Sequence, residues 1–317
     1  MLKYLIIPLA EDAESFCHYS TSTYKNEWIS PEVLQKAVHW AMKENLSIQF
    51  LFPKNPIPEE LGVVMDSIDY TSIVPFDHAN QDRVRGAEVV VVTGFENLKV
   101  VSFRSGQAYV VKTSLAELIT SIDIIKRSLP NLDRLNIVID NIAEINEVGI
   151  DEYKRFLESL IPSVVEEYRN GHIVQLNLLT DRLMLSEMNN CNAGNESLTL
   201  APDGNFYICP AFYNDGEPSI GNLENGKILK NPHLYKLSYA PICRICDAYQ
   251  CKRCIWMNKK YTLEVNTPSR EQCLVGHIER NASKILLQEL RKIDPSFLSE
   301  SIIPEIDYLD PFEKLQK

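Results

Sequence analysis

Cys243-Arg-Ile-Cys246-Asp-Ala-Tyr-Gln-Cys251-Lys-Arg-Cys254 sets four cysteines inside twelve residues. Cys273 follows downstream, and Cys191 and Cys209 precede, so seven of the eight cysteines lie between positions 191 and 273. Cys17 stands apart near the N-terminus. Thiols gathered this densely hold either a metal or a disulfide network. The cysteine stretch also divides the chain. Before it, apolar runs alternate regularly with amphipathic ones. Within it, apolar side chains are few, and such a segment needs metal to order it.

The surrounding composition favours metal. A chain of 317 residues with 45% apolar residues can bury a substantial core. The opening Met1-Leu-Lys-Tyr-Leu-Ile-Ile-Pro-Leu-Ala, with Glu11, Asp12 and Glu14 behind it, reads as a buried strand; a signal peptide wants a basic start and a longer apolar run. No stretch approaches the roughly 20 apolar residues of a membrane helix. A cytoplasmic protein, in a compartment where disulfides are rare, is the expectation. The net charge of −11 argues against nucleic acid as a partner. The short basic pairs Arg83/Arg85, Lys252/Arg253 and Lys259/Lys260 read as solvated surface. Only 12 glycines occur, about half the usual share of about 7%, and there is neither a G-x-G-x-x-G nor a Walker-type lysine loop.

Lys3–Leu9 reads as the first strand. Ser30-Pro31-Glu32 supplies a cap, a proline at the first helical position and an acid in the first turn. The helix so opened runs to about Asn45, with Val33, Ala37, Trp40 and Ala41 on one face. Ile48–Phe52 is a strand, Ile57–Ile68 a helix, Ser72–Pro75 and Glu88–Val92 strands, and 98–112 an irregular hairpin. Thr113-Ser114 caps a helix to about Ser128. Leu135–Asp140 is a strand, Asp151–Tyr168 a helix and Ile173–Leu179 a strand. This alternation predicts an α/β fold with a mostly parallel sheet, as a partial (open) βα barrel, with an open doubly wound sheet as the alternative. Asn189-Asn190-Cys191-Asn192-Ala193-Gly194-Asn195 is turn material. Residues 276–292 predict an amphipathic helix with Ile278, Ile285, Leu286 and Leu290 on one face. The acidic tail from Asp294, broken by Pro295, Pro304 and Pro311, reads as a strap or a frayed end.

The cysteine spacing has more detail. Cys191 is followed by twelve residues, Gly204, four more, and Cys209. Leu200-Ala-Pro-Asp-Gly-Asn-Phe-Tyr-Ile-Cys209 reads as a hairpin turning at Pro202-Asp203-Gly204. Here residues 188–275 resemble the SPASM domain, the C-terminal extension of a radical SAM subfamily that modifies peptides and proteins. The family pattern is a cysteine, a glycine, a cysteine five residues on, then C-x2-C-x5-C-x3-C and a last cysteine. The present run departs by one residue in each of two spacers, giving x4 and x2. Gly221-Asn222-Leu223 is similar to the family's "IGN(L)" stretch.

The resemblance implies 4Fe–4S clusters, one or two. Carried over by position, Cys243, Cys246, Cys251 and Cys273 would hold one, and Cys191, Cys209 and Cys254 the other with a site left open. His233 and His277 are the nearby candidates to fill it. Two alternatives remain. Paired C-x-x-C motifs also bind zinc, although zinc ribbons separate their pairs by about 15–20 residues against four here. Cys246-x4-Cys251-x2-Cys254 matches plant-type ferredoxin spacing, but leaves Cys191 and Cys209 without a role.

If the resemblance extends to the first half, it should carry C-x3-C-x2-C after the first strand, where three thiolates hold the cluster that S-adenosylmethionine chelates. Ala10–Tyr24 holds only Cys17, in Phe16-Cys17-His18-Tyr19. A glycine-glycine-glutamate stretch is expected after the second strand, and Phe52-Pro-Lys-Asn-Pro-Ile-Pro58 stands there instead. Both departures argue against S-adenosylmethionine cleavage. Cys17 then reads as a packed or surface thiol. The chain also resembles the CXXX repeat peptide maturase group, through the opening strand, Phe16–Tyr19 and Ala41-Met-Lys-Glu-Asn-Leu46. It implies a degenerate radical-SAM-like domain over 1–185, a SPASM-like domain over 186–275, and a C-terminal helix and tail over 276–317. The implied role is maturation of a cysteine-rich precursor peptide in a ribosomal peptide modification (RiPP) system. Whether the chain is itself an enzyme stays open. The alternatives are a non-catalytic scaffold serving a separate radical SAM enzyme, and a zinc-stabilised interaction protein.

Overall fold

A computed structural model of the chain describes residues 2–21, 27–188 and 190–303. Asn189, Tyr24 and the tail with Pro304 and Pro311 fall outside the described residues. Nine strands form one sheet: β1 (Tyr4–Pro8), β2 (Ser47–Leu51), β3 (Thr71–Pro75), β4 (Val89–Thr93), β5 (Ala108–Thr113), β6 (Arg134–Ile139), β7 (Gln175–Leu176), β8 (Ser197–Leu200) and β9 (Phe206–Tyr207). Their spatial order is β7-β6-β5-β4-β3-β2-β1-β8-β9. Among the described residues β7 and β9 are the two ends, so the sheet is open rather than a closed barrel.

The pairings β1–β2, β2–β3, β3–β4, β6–β7 and β1–β8 are parallel. Strands buried on both faces read as unbroken apolar runs, as Leu5-Ile6-Ile7 and Val90-Val91-Val92 do. Strands β1 to β7 lie in sequence order, without the reversal of direction that marks a doubly wound sheet. Right-handed crossovers in such a series place successive helices on the same face. The barrel-like reading therefore holds over its alternative.

Inter-residue contacts divide the chain into two compact units. One comprises Met1–Val92, Gly106–Lys112 and Cys191–Lys236; the other comprises Thr93–Ser105, Thr113–Asn190 and Leu237–Lys317.

Several local expectations need correction. The first helix, Pro31–Lys43, is capped by Ser30 as expected, but buries Leu34, Ala37, Val38 and Ala41; Val33 and Trp40 are only half-buried. Residues 98–112 form no hairpin. A short helix, Phe95–Leu98, is followed by irregular chain and the single strand β5. The Gln107 amide donates to the carbonyls of Val84 and Ala87 and anchors the entry to β5, which leaves the preceding residues no strand to pair with. Ile173–Leu179 pairs only at Gln175–Leu176. Beyond it the Asn177 side chain replaces backbone in the ladder, accepting from Ile137 N at 2.8 Å and donating to Ile137 O at 2.9 Å. The hairpin at Gly204 is present, and its first strand starts at Ser197, with Thr199↔Tyr207 and Leu200↔Phe206 paired. Gly204 adopts φ +79°, the left-handed turn conformation that glycine enters freely.

Candidate metal-binding thiol centre

The chain from Leu237 to Cys246 advances in tight turns, with 3-10 segments at Leu237–Tyr239 and Cys243–Ile245. Residues three apart eclipse one another in such turns. Leu237, Ala240, Cys243 and Cys246 accordingly share the inner face, packed with Met188, Tyr249 and Cys251. Tyr239, Ile242 and Ile245, at the same spacing, are exposed.

The long helix Arg270–Ile293 supplies the rest. Its Ser269 cap accepts from Gln272 N at 3.2 Å. The helix thus begins six residues ahead of the expected Gly276, and Cys273 sits in its first turn rather than before it. It presents Gly276 to Cys251, where an added Cβ would stand 3.4 Å from Cys251 Cβ and 3.5 Å from its Sγ. The next residue, His277, places Nε2 3.6 Å from Cys246 Sγ. His277, which the sequence left as a filler for the open site of the other set, thus meets one of the four thiols.

These thiols lie within electrostatic reach of one another. Burial pushes the Cys246 thiol up to about 11, opposed by the Ala248 N–H that donates to its sulfur at 3.4 Å and reinforced by Cys243 and Asp247. Burial lifts Cys273 to about 12, with Cys243 and Cys246 adding to it. Half-buried Cys251 is raised first by burial and then by the same two thiols. Cys243 is raised by burial and eased by the nearby Arg253 guanidinium. Thiols partly withdrawn from water that oppose one another's ionisation become thiolates most readily when a cation compensates them, and thiolates are the form that binds metal.

Among the described residues, no three His, Cys, Asp or Glu side chains close on the position of one metal ion. A mononuclear zinc at about 2.3 Å from each thiolate would draw the sulfurs to roughly 3.8 Å from one another. In a cluster each thiolate would bind a different iron, with the sulfurs wider apart. The donor set, all thiol and free of disulfides, is of a kind that both zinc and Fe–S clusters take.

A buried polar frame surrounds the centre, and sequence reasoning missed it. Arg280 donates to Asp247 Oδ2 from Nε at 3.1 Å and Nη2 at 3.0 Å. Arg182 reaches the same oxygen at 3.8 Å and lies over the Tyr249 ring. Gln250 donates to the Gly276 carbonyl at 2.6 Å, and Tyr153 donates to Glu279 at 2.7 Å. Arg253 donates to Asn266 at 2.6 Å. The available signal was position: Asp247, Gln250 and Arg253 all lie between or beside the cysteines.

The remaining cysteines are distributed differently. Cys191 is exposed, and Cys209 lies two residues beyond β9, directly before the helix Pro210–Asn214; both belong to the first unit. Cys254 precedes the helix Ile255–Thr262 in the second unit. That helix interrupts a stretch where no periodic run was expected. Cys17 and Cys209 both act on the buried Tyr19 hydroxyl, whose pKa is raised first by burial and then by these thiols. The chain beyond β2 carries a charged group in place of glycines: Lys54 pairs with Asp77 at 2.7 Å. Lys112 donates to the Tyr19 carbonyl at 2.9 Å. Burial raises Glu14 against the opposing pull of Lys112 and Lys54.

No family model matches the sequence, and no curated protein matches it either. Solved structures do. Native anSMEcpe with bound AdoMet is 16% identical at a TM-score of 0.61, covering 93% of this chain and 100% of that one. A histidine-tagged form of anSMEcpe with bound AdoMet is 14% identical at a TM-score of 0.64, covering 95% and 98%. Native anSMEcpe with bound AdoMet and Cp18Cys peptide is 14% identical at a TM-score of 0.62, covering 92% and 100%. The likeness spans both halves of the chain, and at this identity it is one of fold: the chain has the open, mostly parallel α/β architecture of anSMEcpe.

Proposed function

We propose that this chain is a peptide-maturation protein in which Cys243, Cys246, Cys251 and Cys273 hold a 4Fe–4S cluster, and that it acts on or presents a cysteine-rich precursor peptide. The observation that supports the reading is that four unbridged thiols, Cys243 buried and the other three half-buried, lie near one another on one turn-rich segment and the first turn of one helix. Such a cluster would supply one-electron transfer. The fold shared with anSMEcpe, a protein solved with AdoMet and with the Cp18Cys peptide, supports the peptide partner. A second cluster, which the family pattern implies, would show in the iron and sulfide count. The functional division follows the sequence, with a radical-SAM-like part to residue 185, a SPASM-like part to 275, and the helix and tail beyond.

A scaffold role is the second reading. The single Cys17 before the second strand and the Lys54–Asp77 pair beyond it favour a first half that presents peptide to a separate radical SAM enzyme without cleaving S-adenosylmethionine. Protein purified without oxygen should be brown, with broad absorption near about 400 nm and about four irons and four sulfides per chain for one cluster, or about eight for two. Colourless protein holding only zinc would refute the cluster. Turnover of precursor peptide by the chain alone, given reductant and S-adenosylmethionine, would refute the scaffold.

A further inference from the structure

The helix Arg270–Ile293 carries a donor that the cysteine pattern does not account for. Cys273 and His277 are four residues apart, so a helix presents both on one face. Between them Gly276 lets the helix backbone close onto Cys251, with only 3.4–3.5 Å left for a Cβ. The approach is fixed from the other side as well: Gln250 donates to the Gly276 carbonyl at 2.6 Å, and the loop residue Asp247 accepts two hydrogen bonds from Arg280 on the same helix. His277 is therefore held in register with the cysteine loop. Its Nε2 lies 3.6 Å from Cys246 Sγ, a normal N–H···S separation, and the Ala248 N–H approaches the same sulfur at 3.4 Å.

We propose that His277 is a positioning residue of the thiol centre, donating from Nε2–H to the Cys246 sulfur and raising the reduction potential of the cluster bound there. This rests on the cluster assigned to Cys243, Cys246, Cys251 and Cys273 above. A hydrogen bond to a ligand sulfur withdraws electron density from the cluster, and such bonds are among the protein's means of setting cluster potentials. The added electron increases the negative charge at sulfur, so the bond is stronger in the reduced state and favours it. Cys246 then carries two donors, the Ala248 N–H and the imidazole. His277 is not needed as a ligand, because four thiols are already at hand.

The test uses the full chain prepared without oxygen, titrated with dithionite through mediator dyes, with iron and sulfide measured in parallel. His277→Phe should keep the iron and sulfide of the wild type. It should become harder to reduce, with the oxidised-to-reduced ratio at a fixed poise rising about tenfold, which is about 59 mV for one electron. His277→Gln restores an N–H donor and should recover most of that shift. Unchanged potential in His277→Phe with full iron would overturn the proposal. So would iron loss as severe as in Cys246→Ser, since His277 would then be a ligand or a structural prop. Wild-type protein without iron would remove the cluster itself and this role with it, an outcome distinct from the other two.

Discussion

Glu279 is a carboxylic acid buried beside two donors. Tyr153 donates to it at 2.7 Å and Gln250 at 3.4 Å. Burial nevertheless outweighs both and pushes its pKa up to about 7 from an ordinary 4.5. The native state then binds more protons than the unfolded chain between about pH 4.5 and 7. A raised carboxyl contributes fully below the unfolded value and loses that contribution as pH rises through the folded one. The difference corresponds to roughly 3 kcal/mol at most. Glu279→Gln should flatten this part of the stability profile, so that urea unfolding at pH 5 and pH 8 gives closer midpoints than in the wild type. An unchanged pH slope would contradict the buried, protonatable carboxyl. This residue was not legible in the sequence. A cysteine draws attention singly, and seven of them at fixed spacing drew the reading to one stretch. A glutamate or arginine on an amphipathic helix reads as surface until the fold shows what covers it, as with Glu279 and Arg280; Arg253, expected on solvated surface, is instead buried in the cysteine loop with Asp247.

Among the elements, the helix Arg270–Ile293 shows where periodicity succeeds and where it misleads. Its existence and its Leu286 and Leu290 contacts were readable. Its start was not, because Ser269-x-x-Gln272 is a weaker signal than the apolar run behind it. Ile285, expected inside, is exposed, and Ser283 is buried in its place, its hydroxyl donating to the Leu179 carbonyl at 2.7 Å. A small side chain allows the close approach that the bulkier isoleucine would block. The join between this helix and the cysteine loop is ionic. Arg280 and Arg182, with side chains 1% and 5% exposed, both face Asp247. Removing one member of a buried charge pair costs about 3–5 kcal/mol, because the partner stays buried without compensation. Asp247→Asn should therefore lower the unfolding free energy by about 3 kcal/mol in chemical denaturation. A loss below about 1 kcal/mol would place the pair in the class of exposed ion pairs.

At the scale of the whole molecule, the number of strands was nearly legible and their order was not. Each apolar run of the first 180 residues is visible on its own, whereas parallel pairing joins segments tens of residues apart through crossovers that leave no local mark. The least local of these pairings is that of β8 with β1, Tyr4↔Ser197, Leu5↔Leu198 and Ile6↔Thr199. A cut at residue 185 would strip this neighbour away. It would turn β1, with its buried Leu5-Ile6-Ile7 run, into an adhesive border of bare peptide groups, the type of edge through which proteins polymerise. Fragment 1–185 is accordingly expected to scatter light and elute as large assemblies in gel filtration, and extension to residue 209, which returns β8 and β9, should reduce this. Anyone seeking to dissect the chain for expression would do better to respect the sheet than the cysteine count.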